Sequence, residues 1–254
     1  MNPSSTPLSS TLSTSAQDTD VAANDQPPTF LQALIFDMDG VLCDTMPYHL
    51  KAWARFIAQT PELPDWMRDY LPQMGGKRNS ELLRELLGEH LTEADIQRWG
   101  SGKESVYREL IDNEIIWLPG LVQFLTQARL AGLKLGLGTS ACRENVDLLL
   151  SHQDLGAFFE AAVIETDVKR GKPDPQCYLL VAERLGVAPP QCLVFEDATA
   201  GVEAARRAGM RCWGVLTTQS ESALLAAGAE RCIQDFNNSG LATLLPQVPE
   251  NSRP

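Results

Sequence analysis

Two periodicities divide the chain. Compact apolar runs at 31–37, 133–138, 162–165, 192–196, 211–215 and 231–234 have the length of buried strands. Between them apolar residues recur every three or four positions, as on one face of a helix. They are Leu121, Phe124, Leu125 and Ala128 in 120–131, then Val146, Leu149 and Leu150 in 142–152. Tyr178, Val181, Ala182 and Leu185 follow in 175–185, and Val202 and Ala205 in 199–208. Strands alternating with helices in this way predict an α/β fold, a doubly wound parallel sheet with a Rossmann-like core.

The first strand breaks the alternation. Residues 46–117 follow it with helical stretches and no convincing strand, punctuated by Pro61, Pro64, Pro72, Gly75-Gly76 and Gly100 and closed by Pro119-Gly120. An all-helical insertion at this point would stand over the strand's carboxyl end as a cap. The expected organisation is a core from 31–45 and 118–246, a cap from 46–117, and a disordered tail over 1–30, rich in Ser, Thr, Pro and Asp.

Composition narrows the class. A hydrophobic share of 44% in 254 residues suffices for one such core with a small insertion. The net charge of −12 argues against a nucleic-acid partner, which needs a basic face. No apolar run approaches the ~20 residues of a membrane span. The first Lys or Arg is Lys51, which does not suit a signal or transit peptide. Six cysteines without C-x-x-C spacing suit reduced core thiols. A cytoplasmic monomer with no membrane partner is expected.

The chemistry gathers at predicted strand ends, where an open α/β sheet binds its ligands. The first strand ends in Asp37-Met38-Asp39-Gly40; the glycine lets the chain bend, so both acids converge beyond the strand. Such a pair stays ionised only with a cation between the carboxylates, or else one keeps a proton. The second strand runs into Thr139-Ser140 before a helix, a setting that suits phosphate. Arg170-Gly171-Lys172-Pro173-Asp174-Pro175 follows the third strand, with prolines that fix a loop and aim Lys172. The fourth strand ends in Glu196-Asp197. Four acids bring about −4, and a divalent cation with Lys172 returns about +3. Oxygen donors without His or Cys select Mg²⁺.

The order D-M-D-G-V, hydrophobic-T-S, G-K-P-D-P and F-E-D followed by G-V-E-A-A resembles the haloacid dehalogenase superfamily of phosphohydrolases over residues 32–235. Within it, Asp44-Thr45-x-x-Tyr48-His49-x-x-x-Trp53 is similar to the β-phosphoglucomutase-like branch, which has a small helical cap. The resemblance implies that Asp37 is the nucleophile and forms an aspartyl-phosphate, and that Asp39 is the acid/base. It implies that Thr139 and Lys172 hold phosphoryl oxygens. It also implies that Mg²⁺ is bound by Asp37, the Asp39 carbonyl and Asp197, with Glu196 in or near the shell.

Substrate-binding candidates lie mainly in the cap. His49 and Trp53 are four apart and share a helical face. Gly75-Gly76-Lys77-Arg78 would form a backbone nest with a cation, Arg78 foremost. Lys103, four before Tyr107, resembles a cap lysine that meets substrate; Ser140 and Arg143 border the second motif. Mutases of the branch carry a lysine where this chain has Met74, and favour Ser-Ala-Ser over Thr139-Ser140-Ala141. A Mg²⁺-dependent phosphatase of small phosphorylated metabolites, sugar phosphates foremost, is therefore expected. The alternatives are a sugar-phosphate mutase and an inorganic pyrophosphatase. A P-loop kinase is excluded: Arg78 stands after Gly76-Lys77 where that loop needs Ser or Thr.

Overall fold

Strand β1, Ala33–Phe36, is the hub of the molecule. Its Phe36 pairs in parallel register with Leu137 on one side and Phe195 on the other. The computed structural model describes residues 30–70, 78–112 and 114–245. The remaining strands are β2 (Lys134–Gly138), β3 (Ala161–Val163), β4 (Cys192–Glu196), β5 (Arg211–Val215) and β6 (Arg231–Ile233), and the sheet runs in the order β3-β2-β1-β4-β5-β6. Both faces are covered, so alternate residues of one strand enter different cores. Leu34 and Phe36 join Leu121, Phe124 and Leu125 of α4 (Leu121–Leu130) and Val146 and Leu149 of α5 (Arg143–Ser151). Ala33 and Ile35 join Tyr178, Val181 and Leu185 of α6 (Gln176–Leu185) and Val202 and Ala205 of α7 (Thr199–Arg207). Phe36 and Phe195 stack across the β1–β4 pairing with centroids 5.0 Å apart.

Between β1 and β2 the chain forms the helical cap. Its helices are α1 (Met46–Gln59), α2 (Asn79–Leu87) and α3 (Glu93–Ile111), with a short 3₁₀ turn at Asp65–Asp69. The cap has its own apolar centre in Trp53, Ile57, Met67, Leu83, Ile96 and Trp99. Helix α3 starts at a reciprocal cap in which Asp95 N–H donates to Thr92 Oγ1 at 3.2 Å. No helix among the described residues is long and apolar enough to cross a membrane. All six cysteines are free.

Two features differ from the periodicity. The strand expected over 162–165 is Ala161–Val163, and Glu165–Asp167 forms a 3₁₀ turn. Asp167 Oδ2 accepts from the Ile164 N–H at 3.0 Å and bends the chain there. Helix α8, Glu221–Ala227, gave no periodic signal because Leu224 is its one buried residue.

Candidate active site

The sheet order reverses between β1 and β4, which opens a crevice at their carboxyl ends. The register delivers Asp37 and Glu196 to it side by side, with Asp37 N–H donating to the Phe195 carbonyl at 3.0 Å. Gly40, at φ +77°, turns the chain away, and a Cβ there would lie 2.0 Å from Asp197 Oδ2. Only glycine lets Asp197 lie against the end of β1.

Lys172 arrives from the loop between β3 and α6. Asp174 Oδ1 caps α6 by accepting from Gln176 N–H at 3.0 Å, and Gln176 Oε1 accepts from Lys169 N–H at 2.9 Å. The Lys172–Pro173 peptide is cis. Lys172 Nζ donates to Asp37 Oδ1 at 2.7 Å, Glu196 Oε1 at 2.6 Å and the Gly138 carbonyl at 3.2 Å, which uses all three ammonium hydrogens. Glu196 also accepts from Tyr178 O–H at 2.7 Å and Ala198 N–H at 3.0 Å. It can lie under the first turn of α7 because residue 201 is glycine: a Cβ there would meet Glu196 Oε1 at 1.6 Å.

Electrostatics follow from this crowding. Burial pushes Asp37 up to about 7, with Lys172 opposing and Glu196 adding to the shift. Burial, then Glu196 and Asp37, hold Asp197 well above the usual carboxylate range. For Lys172, burial works downward, but Asp37 and Glu196 outweigh it and raise the ammonium. Three buried carboxylates thus share one lysine. One oxygen from each of Asp37, Glu196 and Asp197 lies within 4.8 Å of the others, a cluster able to hold a metal ion. The excess negative charge and the all-oxygen donor set fit a hard divalent cation.

Asp39 faces the cap instead. Its Oδ1 accepts from Thr45 Oγ1 at 2.6 Å and meets His49 Nε2 at 3.3 Å; neither contact uses Oδ2. Burial works to raise Asp39, but His49 and Thr45 outweigh it and hold the carboxyl below its usual range. Lys103 Nζ lies 2.6 Å from His49 Nδ1. An ammonium only donates, so Nδ1 accepts and the imidazole hydrogen sits on Nε2, towards Asp39. The His49 ring stacks on Tyr107 with centroids 3.9 Å apart and planes at 4°.

The same cavity is lined by Asp37, Asp39, Thr139, Ser140, Lys172, Glu196 and Asp197 from the core and His49, Trp53, Arg78 and Lys103 from the cap. Thr139 Oγ1 accepts from Ala141 N–H at 3.1 Å. Trp53 serves both the cap's apolar centre and the cavity wall. Lys103 is buried rather than solvated. Arg78 donates through Nη2 to the Val168 carbonyl at 3.3 Å, and its buried Nε has no partner among the described residues. Arg143 is a correction. It is exposed, 3.7 Å from Asp147, and does not line the cavity, because its position on α5 turns it to solvent. Met74 and the Gly75-Gly76-Lys77 part of the expected nest lie outside the described residues.

The geometry adds Asn79, Glu104, Asn145 and Glu165, which motif reading passed over, and gives Thr45 of the branch motif a partner in Asp39. Asn145 carried a signal: it lies four residues before Leu149, on the buried stripe of α5 with Val146. Glu104 likewise sits among the buried positions of α3, between Gly100 and Tyr107.

Comparison with known proteins bears on the same region. Residues 31–209 match the family model of haloacid dehalogenase-like hydrolases. A phosphorylated carbohydrates phosphatase from Thermotoga maritima is 37% identical over 205 residues, 78% of this chain and 92% of that one. A β-phosphoglucomutase from Bacillus subtilis is 35% identical over 193 residues, 73% of this chain and 83% of that one. The crystal structure of a β-phosphoglucomutase from Clostridium difficile superimposes with a TM-score of 0.72 at 27% identity, covering 84% of this chain and 96% of that one. Alike in sequence to a phosphatase and a mutase, and in fold to a mutase, along most of their lengths, the chain belongs to the haloacid dehalogenase-like hydrolases and is an enzyme of phosphoryl transfer.

Proposed function

We propose that this protein is a cytoplasmic, monomeric, Mg²⁺-dependent phosphatase of small phosphorylated metabolites, sugar phosphates foremost, acting through an aspartyl-phosphate on Asp37. One observation carries the reading. Asp37 and Asp39 are two residues apart yet lie in opposite environments: Asp37 against Lys172 among acids, Asp39 against a hydroxyl and an imidazole. Such a division suits a nucleophile that Lys172 and a bound cation would keep ionised, beside an acid/base held by groups that can pass it a proton.

In the first step an Asp37 carboxylate oxygen attacks phosphorus and the bond to the leaving oxygen breaks. Asp39 supplies the proton that oxygen needs. An arriving phosphate dianion would raise the Asp39 pKa towards the protonated form that this step uses. In the second step water attacks the same phosphorus, Asp39 takes the water proton, and the bond to Asp37 breaks to release phosphate. Lys172 and Thr139 would hold the phosphoryl oxygens in place. Mg²⁺, held by Asp37, Asp197 and the Asp39 carbonyl with Glu196 beside them, would offset the charge of carboxylates and phosphate.

The distal wall supports hydrolysis of monophosphates. Lys103 is already paired with Glu104 at 2.9 Å, and Arg78 faces the half-buried Glu165. Of the cations on that wall among the described residues, this leaves the Arg78 guanidinium, whose Nε is unpartnered, to meet substrate. The mutase reading keeps one observation in its favour, the Asp39–His49–Lys103 chain beneath the cap, together with the likeness to β-phosphoglucomutases.

A phosphate-release screen over sugar phosphates, nucleotides, glycolytic acids and pyrophosphate, with and without Mg²⁺, tests the proposal. Sugar monophosphates should release phosphate only with the metal, and Asp37→Asn should lower the rate by at least about 10⁴-fold while the protein stays folded. Full activity in that variant would remove the covalent mechanism. Incubation with β-glucose 1-phosphate and a bisphosphate primer separates the rivals: glucose 6-phosphate without free phosphate favours the mutase. Preference for pyrophosphate would mark the third enzyme.

A further inference from the structure

On the cap side of the cavity the polar groups converge on one acceptor, the buried carboxylate of Glu104 on α3. Its Oε1 accepts from Lys103 Nζ at 2.9 Å and from Asn79 Nδ2 at 2.6 Å. Its Oε2 accepts from Asn145 Nδ2 at 2.7 Å. Lys103 and Asn79 belong to the cap, whereas Asn145 belongs to α5 of the core. Asn145 Oδ1 in turn accepts from Arg108 Nη1 at 2.9 Å. Glu104 and Arg108 are four residues apart on α3, so one helix face satisfies both ends of a single core amide. Asn145 is 1% exposed and lies on an apolar stripe. A buried amide there is costly unless both its ends are paired. With the cap in this position both are.

We propose that Glu104 and Asn145 form a clasp that docks the cap on the core and, through Lys103 and His49, sets Asp39 for proton transfer. Glu104 is a positioning residue in this scheme. Its carboxylate holds the Lys103 ammonium, the ammonium fixes Nδ1 of His49 as acceptor, and the Nε2 hydrogen is then directed at Asp39. If the cap lifts, Glu104 leaves Asn145 and His49 leaves Asp39 together, so the acid/base is fully held only when the cavity is covered. The inference rests on the role given to Asp39 in the phosphatase reading.

Reversing the polarity of the clasp tests it. Glu104→Gln turns an amide towards the Asn145 amide, and Asn145→Asp sets two carboxylates face to face. In the double variant the amide on α3 donates to the carboxylate on α5, which still accepts from Arg108, while the amide oxygen still accepts from Lys103 and Asn79. The readout is single-turnover phosphorylation of Asp37, trapped in acid, with a sugar phosphate and with p-nitrophenyl phosphate. The sugar alkoxide needs a proton to leave, and nitrophenolate hardly does. Each single variant should slow the sugar phosphate about 10–100-fold and the aryl phosphate only about threefold or less. The double variant should recover most of the loss.

A double variant as slow as its parents, or equal losses with both donors, would overturn the clasp and leave Glu104 as a substrate contact or a purely structural group. Should a single variant fail to fold, the double variant decides alone: near wild-type rates support the clasp and slow rates overturn it. Wild-type protein that labels Asp37 while neither single variant changes removes the clasp only. Wild-type protein that labels with neither donor removes the phosphatase reading, and the clasp with it.

Discussion

Thr45 stands immediately before α1, where a hydroxyl ordinarily caps the helix by accepting from its backbone. Here it makes no such cap and donates to Asp39 Oδ1 at 2.6 Å instead. Pro47 in the first turn softens the loss, since it has no N–H to satisfy. A hydrogen bond to a partly buried, ionised carboxylate contributes about 1.5–3 kcal/mol. Thr45→Val should therefore lower kcat by about 10–100-fold with little change in KM; steady-state kinetics on a sugar phosphate would show this, and an unchanged kcat would remove Thr45 from the acid/base assembly. Asp37, Asp39, Lys172 and Asp197 were legible because each sits at a strand end or in a proline-fixed loop. Thr45 was legible as a member of the Asp44-Thr45-x-x-Tyr48-His49 motif, but nothing local shows which way its hydroxyl turns.

The seat of α7 against β4 depends on the absence of one carbon. Glu196 folds beneath the first turn, and Gly201 leaves room for its carboxyl. The carboxyl end is held by Lys172, Tyr178 and Ala198, so it has no free direction in which to yield. Gly201→Ala should displace Glu196, free Lys172 from its place and cut phosphate release by about 10²-fold or more; a normal rate in that variant would show that α7 shifts instead. The cap helices α1 and α3 are joined by the His49–Tyr107 stack and by Trp53. Trp53→Ala should cost about 3–5 kcal/mol in urea unfolding, in line with other large-to-small core changes. Helix periodicity announced the cap but not the burial of Glu104, whose partner Asn145 comes into reach only when α5 is brought against α3.

Across the molecule, excess negative charge at the crevice links stability to cations. Ligand that binds only the folded state stabilises by about 2.7 kcal/mol at a hundredfold excess over Kd. Melting temperature should therefore rise with added Mg²⁺ in the wild type, and Asp197→Ala should abolish the rise; an equal rise in both would place the metal elsewhere. Cap docking brings a separate pH dependence. Burial would raise Glu104, but the Lys103 ammonium and the hydrogen bonds from Lys103 and Asn79 outweigh it and hold its pKa below the usual 4.5. The unfolded chain then binds the more protons just below 4.5, so the stabilisation is present above that pH and fades as pH falls towards the folded value. Thermal melts on acidification should show a steeper loss in the wild type than in Glu104→Gln, and parallel curves would contradict the depressed pKa.

Sequence by itself determined the doubly wound sheet, the helical cap and the acids at the strand ends. These are consequences of periodicity and of where β-strands stop, and both are local properties. Only the tertiary structure decided that Asp39 turns from its neighbour to the cap, that Arg143 faces solvent, and that Glu104 meets Asn145 across 41 positions of chain. Such contacts depend on how two separately formed layers meet, and a side chain's partner across that boundary leaves almost no trace in the residues beside it.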